Sequence, residues 1–282
     1  MANWFITGVS TGFGRALAEA VLAKGHKVIG TVREEGSRAP FEGLAPGRAV
    51  AVVLDVTDEA GVHDAVDAIA ERHGTIDVAV NNAGYGLEGA IEEVSLDQVR
   101  RQFEVNVFGA VAIMQAVLPH MRKQRSGHII NITSMGGLAG FPGVGIYNGS
   151  KFALEGISEA LAKEVKPLGI KVTIVAPGSF RTDWAGRSME HVESSIADYE
   201  ATAGAFRQSL AQRNGKQGGD PRKGAEAIIL ATEAEQPPLH LLLGPDALRF
   251  VGEKLGALQT EMSKWALVSA STNFDDFTPP KL

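Results

Sequence analysis

Short apolar runs alternate along the chain with longer stretches that are apolar at every third or fourth position. The runs at 3–7, 27–32, 49–54, 78–80, 128–132, 171–175 and 239–243 are rich in Val, Ile and Leu, and their apolar character is continuous rather than alternating. A strand reads this way when both of its faces are covered, as in a parallel sheet clad with helices. Helices are predicted between the runs, at 13–24, 58–73, 96–124, 148–168 and 221–231. In the first of them Leu17, Ala18, Val21 and Leu22 form one stripe at helical spacing. Gly25, Gly74 and Gly169 stand directly after the first, second and fourth helices, where helices commonly stop. Strands alternating with helices imply right-handed crossovers. The expected fold class is therefore α/β, a single-domain doubly wound parallel sheet of the Rossmann type with helices on both faces. No repeat and no Pro/Gly/Ser linker divides the chain, so one domain is expected over 1–256. Two stretches break the rhythm. Residues 178–219 are long, lack a strand pattern and carry scattered aromatics, which reads as a mobile substrate lid. Residues 257–282 read as an irregular tail.

Composition narrows the chemistry. The 282 residues contain no Cys, which removes disulfides, thiol catalysis and cysteine zinc sites, and no metal site is expected. A net charge of -6 argues against a nucleic-acid surface. No uninterrupted apolar run approaches the roughly 18 residues that would cross a bilayer, and no basic region precedes a removable apolar stretch. A cytoplasmic enzyme with neither membrane nor nucleic-acid partner is the expectation.

The first predicted strand ends in Thr7-Gly8-Val9-Ser10-Thr11-Gly12-Phe13-Gly14, and a helix follows. Glycines there permit a tight turn and let backbone N–H groups approach a pyrophosphate, and the helix N-terminus adds a favourable dipole. The spacing is GxxxGxG rather than GxGxxG. A carboxylate at the end of the second strand would hold the ribose hydroxyls of NAD. This chain has Gly30-Thr31-Val32 there, then Arg33, whose guanidinium suits a 2′-phosphate. Glu34 and Glu35 follow and oppose it.

Of the three tyrosines only Tyr147 has a lysine four residues on, Lys151, one helical turn away. A free phenol ionises near pH 10 and is a poor base at neutrality. A neighbouring ammonium is expected to lower that value and let Tyr147 act as general acid or base on a carbonyl or alcohol oxygen. Ser134 lies thirteen residues upstream, just past the strand ending at Ile132. That places its hydroxyl at the carboxyl end of the sheet, within reach of the reacting oxygen.

With these residues in view, the chain resembles the short-chain dehydrogenase/reductase superfamily, in its short soluble branch, over roughly residues 3–245. The motifs occur in the family's order: TGVSTGFG at 7–14, Asp55-Val56, NNAG at 81–84, Asn106, Ser134, YNGSK at 147–151 and Pro177-Gly178. The resemblance implies a catalytic set of Asn106, Ser134, Tyr147 and Lys151. Tyr147 would be the general acid/base, Lys151 would bond the nicotinamide ribose and tune Tyr147, and Ser134 would orient the substrate oxygen. Asn106 would hold a water leading from Lys151 to solvent. It implies a cofactor site made of the loop residues Gly8, Ser10, Gly12, Phe13 and Gly14, with Arg33, Asp55 and Val56. Asn82, Ala83 and Gly84 would line the cleft, Lys151 would join it, and Pro177, Gly178 and Thr182 would close over the carboxamide. Relatives that prefer NADP often carry a basic residue just before the second loop glycine; Thr11 stands there, so the expected preference for NADP(H) over NAD(H) rests on Arg33.

NNAGYGLEGAIEE and GTVR are similar to the hydroxysteroid- and retinol-dehydrogenase-like part of the family. Tyr85, Met135, Phe141, Phe180, Trp184, Met189 and Phe206 are candidate pocket residues, which suits a small hydrophobic carbonyl or alcohol substrate. Two other readings remain open, a sugar-nucleotide epimerase or dehydratase and a dinucleotide-sensing binding protein. About 50 residues remain after Ala231, too few for the larger carboxyl-terminal domain of the first, and the second does not need the Tyr, Lys and Ser that are all present. Apolar residues on several faces of the two long helices, including Val107, Val111, Met114, Phe152, Ile157 and Leu161, lead us to expect a homodimer or homotetramer.

Overall fold

The computed structural model of the chain describes residues 1–274, 276 and 277. Its strands are β1 Asn3–Ile6, β2 Lys27–Val32, β3 Ala49–Val53, β4 Val78–Asn81, β5 Gly86–Glu88, β6 Gly127–Ile132, β7 Ile170–Pro177, β8 Met189–His191 and β9 His240–Leu243. Its helices are α1 Gly12–Ala23, α2 Arg38–Glu42, α3 Glu59–His73, α4 Leu96–Phe103, α5 Gly109–Gln124, α6 Gly145–Val165, α7 Ala205–Arg213, α8 Pro221–Glu233 and α9 Pro245–Ala270. Seven strands form one parallel sheet in the order β3-β2-β1-β4-β6-β7-β9. The chain winds outward from β1 through β2 and β3, then returns to the other side of β1 with β4. At that reversal a crevice opens outside the carboxyl ends of β1 and β4, the place where ligands bind in such sheets.

Continuous apolar strands are needed because both faces are clad. On one face Trp4, Ile6, Val28 and Val80 pack with Leu17 and Val21 of α1 and Ile228 and Ile229 of α8. On the other, Phe5, Ile29, Ala79 and Ile129 pack with Val66 of α3, Ile113 and Val117 of α5, and Leu154 and Leu161 of α6. The second face accounts for most of the apolar residues named above on the long helices. Val107, Met114 and Leu161 are buried within this chain, and Val111 and Ile157 pack against its core. Among the six named residues only Phe152 is exposed, at 39%. Most of that apolar surplus serves a wide sheet face, while Leu96, Phe108 and Phe152 stay exposed.

α4 begins at a reciprocal cap between Ser95 and Gln98 and runs into α5 through a π-helical turn, Glu104–Phe108. The whole segment Leu96–Gln124 is long and apolar enough to cross a membrane by length and composition. Here its α5 part packs against the sheet and α3.

Two expectations change. Residues 178–219 do contain a strand, because β8 pairs with β5 in a small parallel ribbon, and α7 follows. The ends of this excursion close on each other, with Arg181 N donating to Gly219 O at 2.8 Å and Gly219 N to Ser179 O at 3.0 Å. Of the stretch 257–282, predicted as irregular, residues through Ala270 belong to α9; positions 275 and 278–282 lie outside the described residues. The irregular reading failed because Gly252 and Gly256 look like stops, while the turn-by-turn apolar pattern continues past them.

Candidate active site

The floor of the crevice is tied together by one buried hydroxyl. Thr7 follows β1, and its Oγ1 accepts from Asn82 N and Ala83 N, both at 3.0 Å, while donating to Val80 O at 3.3 Å. Asn82 Nδ2 donates to Thr7 O at 2.9 Å and to Gly8 O at 3.0 Å, locking the NNAG turn to the glycine loop. Thr31 of β2 supports the other side, its Oγ1 accepting from Gly8 N at 3.0 Å. Gly8 and Gly12 have φ of 72° and 62°, conformations that a side chain rarely takes. A Cβ on Gly14 would fall on Asn82 Nδ2 and Gly8 O, so this position needs glycine for close approach. No side chain caps the start of α1. Its first N–H groups, at the carboxyl end of β1, make an anion cradle that fits a dinucleotide pyrophosphate.

Ser134, Tyr147 and Lys151 come together beside this cradle. A Cβ on Gly136 would lie 3.3 Å from Ser134 Oγ and 3.6 Å from Tyr147 Cε1, so the two groups flank one small residue. Tyr147 sits in the first turn of α6, which starts at Gly145 rather than at 148. Lys151 Nζ is 5.9 Å from the Tyr147 ring centroid and donates to Ile132 O at 2.9 Å. The electrostatics reverse one expectation. Burial pushes the Tyr147 hydroxyl up to about 12, with the Ser134 side chain pulling the other way. Burial dominates there and disfavours the phenolate. Burial brings Lys151 down to about 8, opposed by the charge of Glu155 one turn further on. Glu155 is itself raised by burial, against hydrogen bonding from Thr133, whose Oγ1 donates to it at 2.6 Å, and the nearby His240.

Asn106 lies in the π-helical turn, a device often found at functional sites. Its Oδ1 accepts from Tyr85 N at 3.0 Å, and its Nδ2 donates to Tyr85 O at 3.0 Å and Ser150 Oγ at 3.1 Å. Only Gly84 separates it from Lys151: a Cβ there would stand 2.9 Å from Asn106 Oδ1 and 3.6 Å from Lys151 Nζ.

Further out, Arg33 is exposed beyond β2 and, among the described residues, makes no ion pair. Glu35 is held by Arg38 at 2.9 Å, so one of the two opposing carboxylates is engaged elsewhere. Asp55 is exposed past β3, accepting from Thr57 N and Oγ1 at 3.0 and 2.8 Å, and Val56 beside it is buried against Gly109. Ser10 is exposed on the glycine loop. The Phe13 ring turns away from the crevice to meet Phe180 edge-on, centroids 5.3 Å apart, against Gly224 of α8. Phe13 and Phe180 are half-buried and pack together against the core of that sheet face. Pro177 ends β7, and Thr182 faces Gly12 at 4.0 Å, measured to a Cβ placed on the glycine.

The predicted pocket aromatics otherwise gather on the substrate side. The Trp184 ring lies 5.0 Å from the Tyr147 ring, and Phe141 stacks on Phe206 at 6.1 Å and meets Phe250 at 5.4 Å. Met189 is buried against Gly86. The segment carrying these groups is pinned to the body by charge. Arg207 and His191 stand 2.7 and 3.3 Å from the buried Glu88, and Glu93 is held below the usual carboxylate range by the N–H groups of Ser195 and Ile196. Glu155, Phe250 and Asp246 escaped the sequence reading, as did the bonding roles of Thr7 and Thr31. Asp246 Oδ2 accepts from Ser179 N at 2.7 Å and presses on Gly178, shaping the loop after β7 from almost 70 residues away. No local pattern marks such a contact.

This arrangement offers a phosphate cradle, a proton donor at a buried oxygen-facing site and an apolar wall. A family model described as short chain dehydrogenase matches residues 3–193. Oxidoreductase BOA17 of Botryotinia fuckeliana is 42% identical over 270 residues, covering 95% of this chain and 98% of that protein. 3-Ketodihydrosphingosine reductase of Bacteroides thetaiotaomicron is 40% identical over 265 residues, covering 93% and 95%. Human retinol dehydrogenase 8 is 35% identical over 250 residues, covering 83% and 79%. Among solved structures, a short-chain dehydrogenase from Streptomyces avermitilis superposes with a TM-score of 0.91 at 42% identity, covering 97% of this chain and 98% of that one. ElxO with NADP bound gives 0.73 at 28%, covering 88% and 99%. A Burkholderia phymatum enzyme in complex with NAD gives 0.80 at 27%, covering 100% and 98%.

Proposed function

The chain belongs to the short-chain dehydrogenase/reductase family and is by that membership an oxidoreductase; from this premise we propose that it moves a hydride between nicotinamide and small hydrophobic ketones, aldehydes or secondary alcohols, with NADP(H) favoured over NAD(H) and Tyr147 as the general acid/base, the proton donor in the reductive direction. The observation that carries this reading is the buried Tyr147 side chain, flanked by Ser134 and Lys151. Bound nicotinamide would supply a hydride to the carbonyl carbon. The chain's own residues do the rest. The Ser134 hydroxyl would hold the carbonyl oxygen, and Tyr147 would pass its proton to that oxygen as negative charge builds there. The Lys151 ammonium would stabilise the phenolate left behind, and Asn106 behind Gly84 would stand on the route by which a proton returns. The glycine loop, the start of α1 and Arg33 would hold the dinucleotide, Arg33 at the 2′-phosphate.

Trp184 beside Tyr147, and the cluster of Phe141, Phe206 and Phe250, support an apolar substrate. Two relatives are named for apolar compounds carrying a carbonyl or an alcohol, a ketodihydrosphingosine and retinol. The test is loss of NADPH absorbance with a panel of hydrophobic carbonyls of increasing chain length. Tyr147→Phe should lose roughly 10²–10⁴-fold in turnover while keeping NADPH affinity. Near wild-type turnover in that variant would remove Tyr147 from the chemistry. No turnover of any carbonyl, with tight NADPH binding, would favour a dinucleotide-sensing role.

A further inference from the structure

α9 is anchored at its root and bare beyond it. Ala247 and Val251 are buried, Phe250 meets Phe141, and Asp246 caps the loop after β7. From Gly252 through Phe274 every residue is exposed. The bare part of the helix, residues 252–270, is about 28 Å long. It contains Gly252 and Gly256, and a solitary helix of this length is marginal in water. A cover would stabilise it.

The apolar residues along it are regularly placed. Leu248, Val251, Leu255, Leu258, Met262 and Trp265 follow one another at alternating steps of three and four residues. This is the spacing of a coiled-coil seam, which packs against a partner helix of the same kind. On the bare part Leu255, Leu258, Met262 and Trp265 are 53%, 42%, 65% and 63% exposed.

Charge separates a partner helix from a lipid surface. The polar positions of α9 carry Asp246, Glu253 and Glu261 against Arg249, Lys254 and Lys264, so the helix is neutral. Helices that lie on bilayers are rich in Lys and Arg. Lys254 and Glu261 each stand directly before a seam residue, Leu255 and Met262, on the flank where paired helices place their ion pairs. Among the described residues neither makes an ion pair within its own chain, whereas Arg249 and Glu253 pair with each other at 3.7 Å.

We propose that α9 is a docking arm for a second copy of this chain, the two arms pairing antiparallel about a two-fold axis. With Leu255 opposite the partner's Leu258, Lys254 reaches the partner's Glu261, and the axis generates the same pair again. In that register the partner's Trp265 comes opposite the exposed Leu248, whereas Val251 is already covered by its own chain, so the pairing centres on Leu255 and Leu258. The closed isologous arrangement leaves no seam free for a third copy.

The test is the particle mass of the full chain at micromolar concentration, by light scattering and sedimentation. Wild type should form a dimer or a larger even-numbered assembly, and Leu255→Asp/Leu258→Asp should halve its mass. Both positions are exposed, so thermal unfolding of the body should stay in place. Lys254→Glu and Glu261→Lys should each weaken association about tenfold or more, and the combined variant Lys254→Glu/Glu261→Lys should regain it. A monomeric wild type would overturn the proposal, as would an unchanged mass in the double Asp variant or a combined charge variant no stronger than the single ones. Wild-type monomer that floats with phosphatidylcholine/phosphatidylserine vesicles would assign the arm to a lipid surface instead.

Discussion

Replacing Thr7 with Val tests whether one hydroxyl holds the cofactor cradle in shape. Thr7 is 1% exposed, and Val matches its outline. The substitution removes the acceptor of Asn82 N and Ala83 N, both bonded at 3.0 Å. A donor left unsatisfied away from water costs about 1–3 kcal/mol, and because these two are only partly buried we take about 2–4 kcal/mol for the pair. Thr7→Ser keeps the hydroxyl and loses one buried methyl, about 1 kcal/mol. For a chain of 282 residues, the usual unfolding entropy turns these costs into a drop in Tm of about 3–7 °C for Val and about 2 °C for Ser. The damage should also reach function. Without the Thr7 hydroxyl the NNAG turn loosens, and Asn82 no longer holds Gly8 O in place. Calorimetry and a fluorescence titration with NADPH measure both effects. Val should lose at least about tenfold in NADPH affinity, some 1.4 kcal/mol, while Ser stays near wild type. A Val variant with Tm within about 1 °C of wild type and unchanged affinity would refute the role of the hydroxyl. A Ser variant as damaged as Val would assign the effect to packing.

Arg33→Ala should weaken NADPH binding by about tenfold and leave NADH binding unchanged, a loss at the low end of a charge-assisted hydrogen bond because Arg33 is exposed; isothermal titration with both dinucleotides checks it, and an unaltered ratio excludes Arg33 from the 2′-phosphate. Carbonyl reduction needs both Tyr147 and Lys151 protonated, and with Lys151 at about 8 the rate should be level below pH 8 and fall above it. Lys151→Met should be slow and lack that fall in steady-state kinetics; a wild-type profile level to about pH 10, where a free phenol titrates, would contradict the assignment. His128 is buried, with burial bringing it down to about 4, and its ring accompanies Thr173 Oγ1 at 2.9 Å. A depressed histidine contributes stability that is complete above pH 6.5 and lost as pH falls toward 4, so urea unfolding at pH 4.5 should show about 2–3 kcal/mol less stability from this residue than at pH 7. His128→Gln should remove that portion of the acid loss; equal acid sensitivity in both proteins would count against it.

The seven sheet strands were legible in the chain because burial on two faces leaves a mark in each strand by itself: Trp4 serves one face and Phe5 the other, so no polar residue interrupts. The glycine loop and the Tyr147–Lys151 pair were legible for the same reason, since a tight turn or one helical turn is a local event. What lay outside local pattern was decided by packing between distant residues. Phe13 reads as a loop residue next to phosphate, yet its ring packs edge-on to Phe180 against the core. Met114 and Leu161 read as surplus apolar surface, yet one wide sheet face absorbs both. Asp246 carries no motif, and only the return of α9 to the carboxyl edge of the sheet sets it against Gly178 and Ser179. The state of Tyr147 shows the difference most clearly. Spacing predicts that Lys151 lowers its proton affinity; the fold buries the phenol, and desolvation raises it instead. Sequence determines which groups can be brought within one turn of each other, whereas the dielectric around them belongs to every segment that packs over the site.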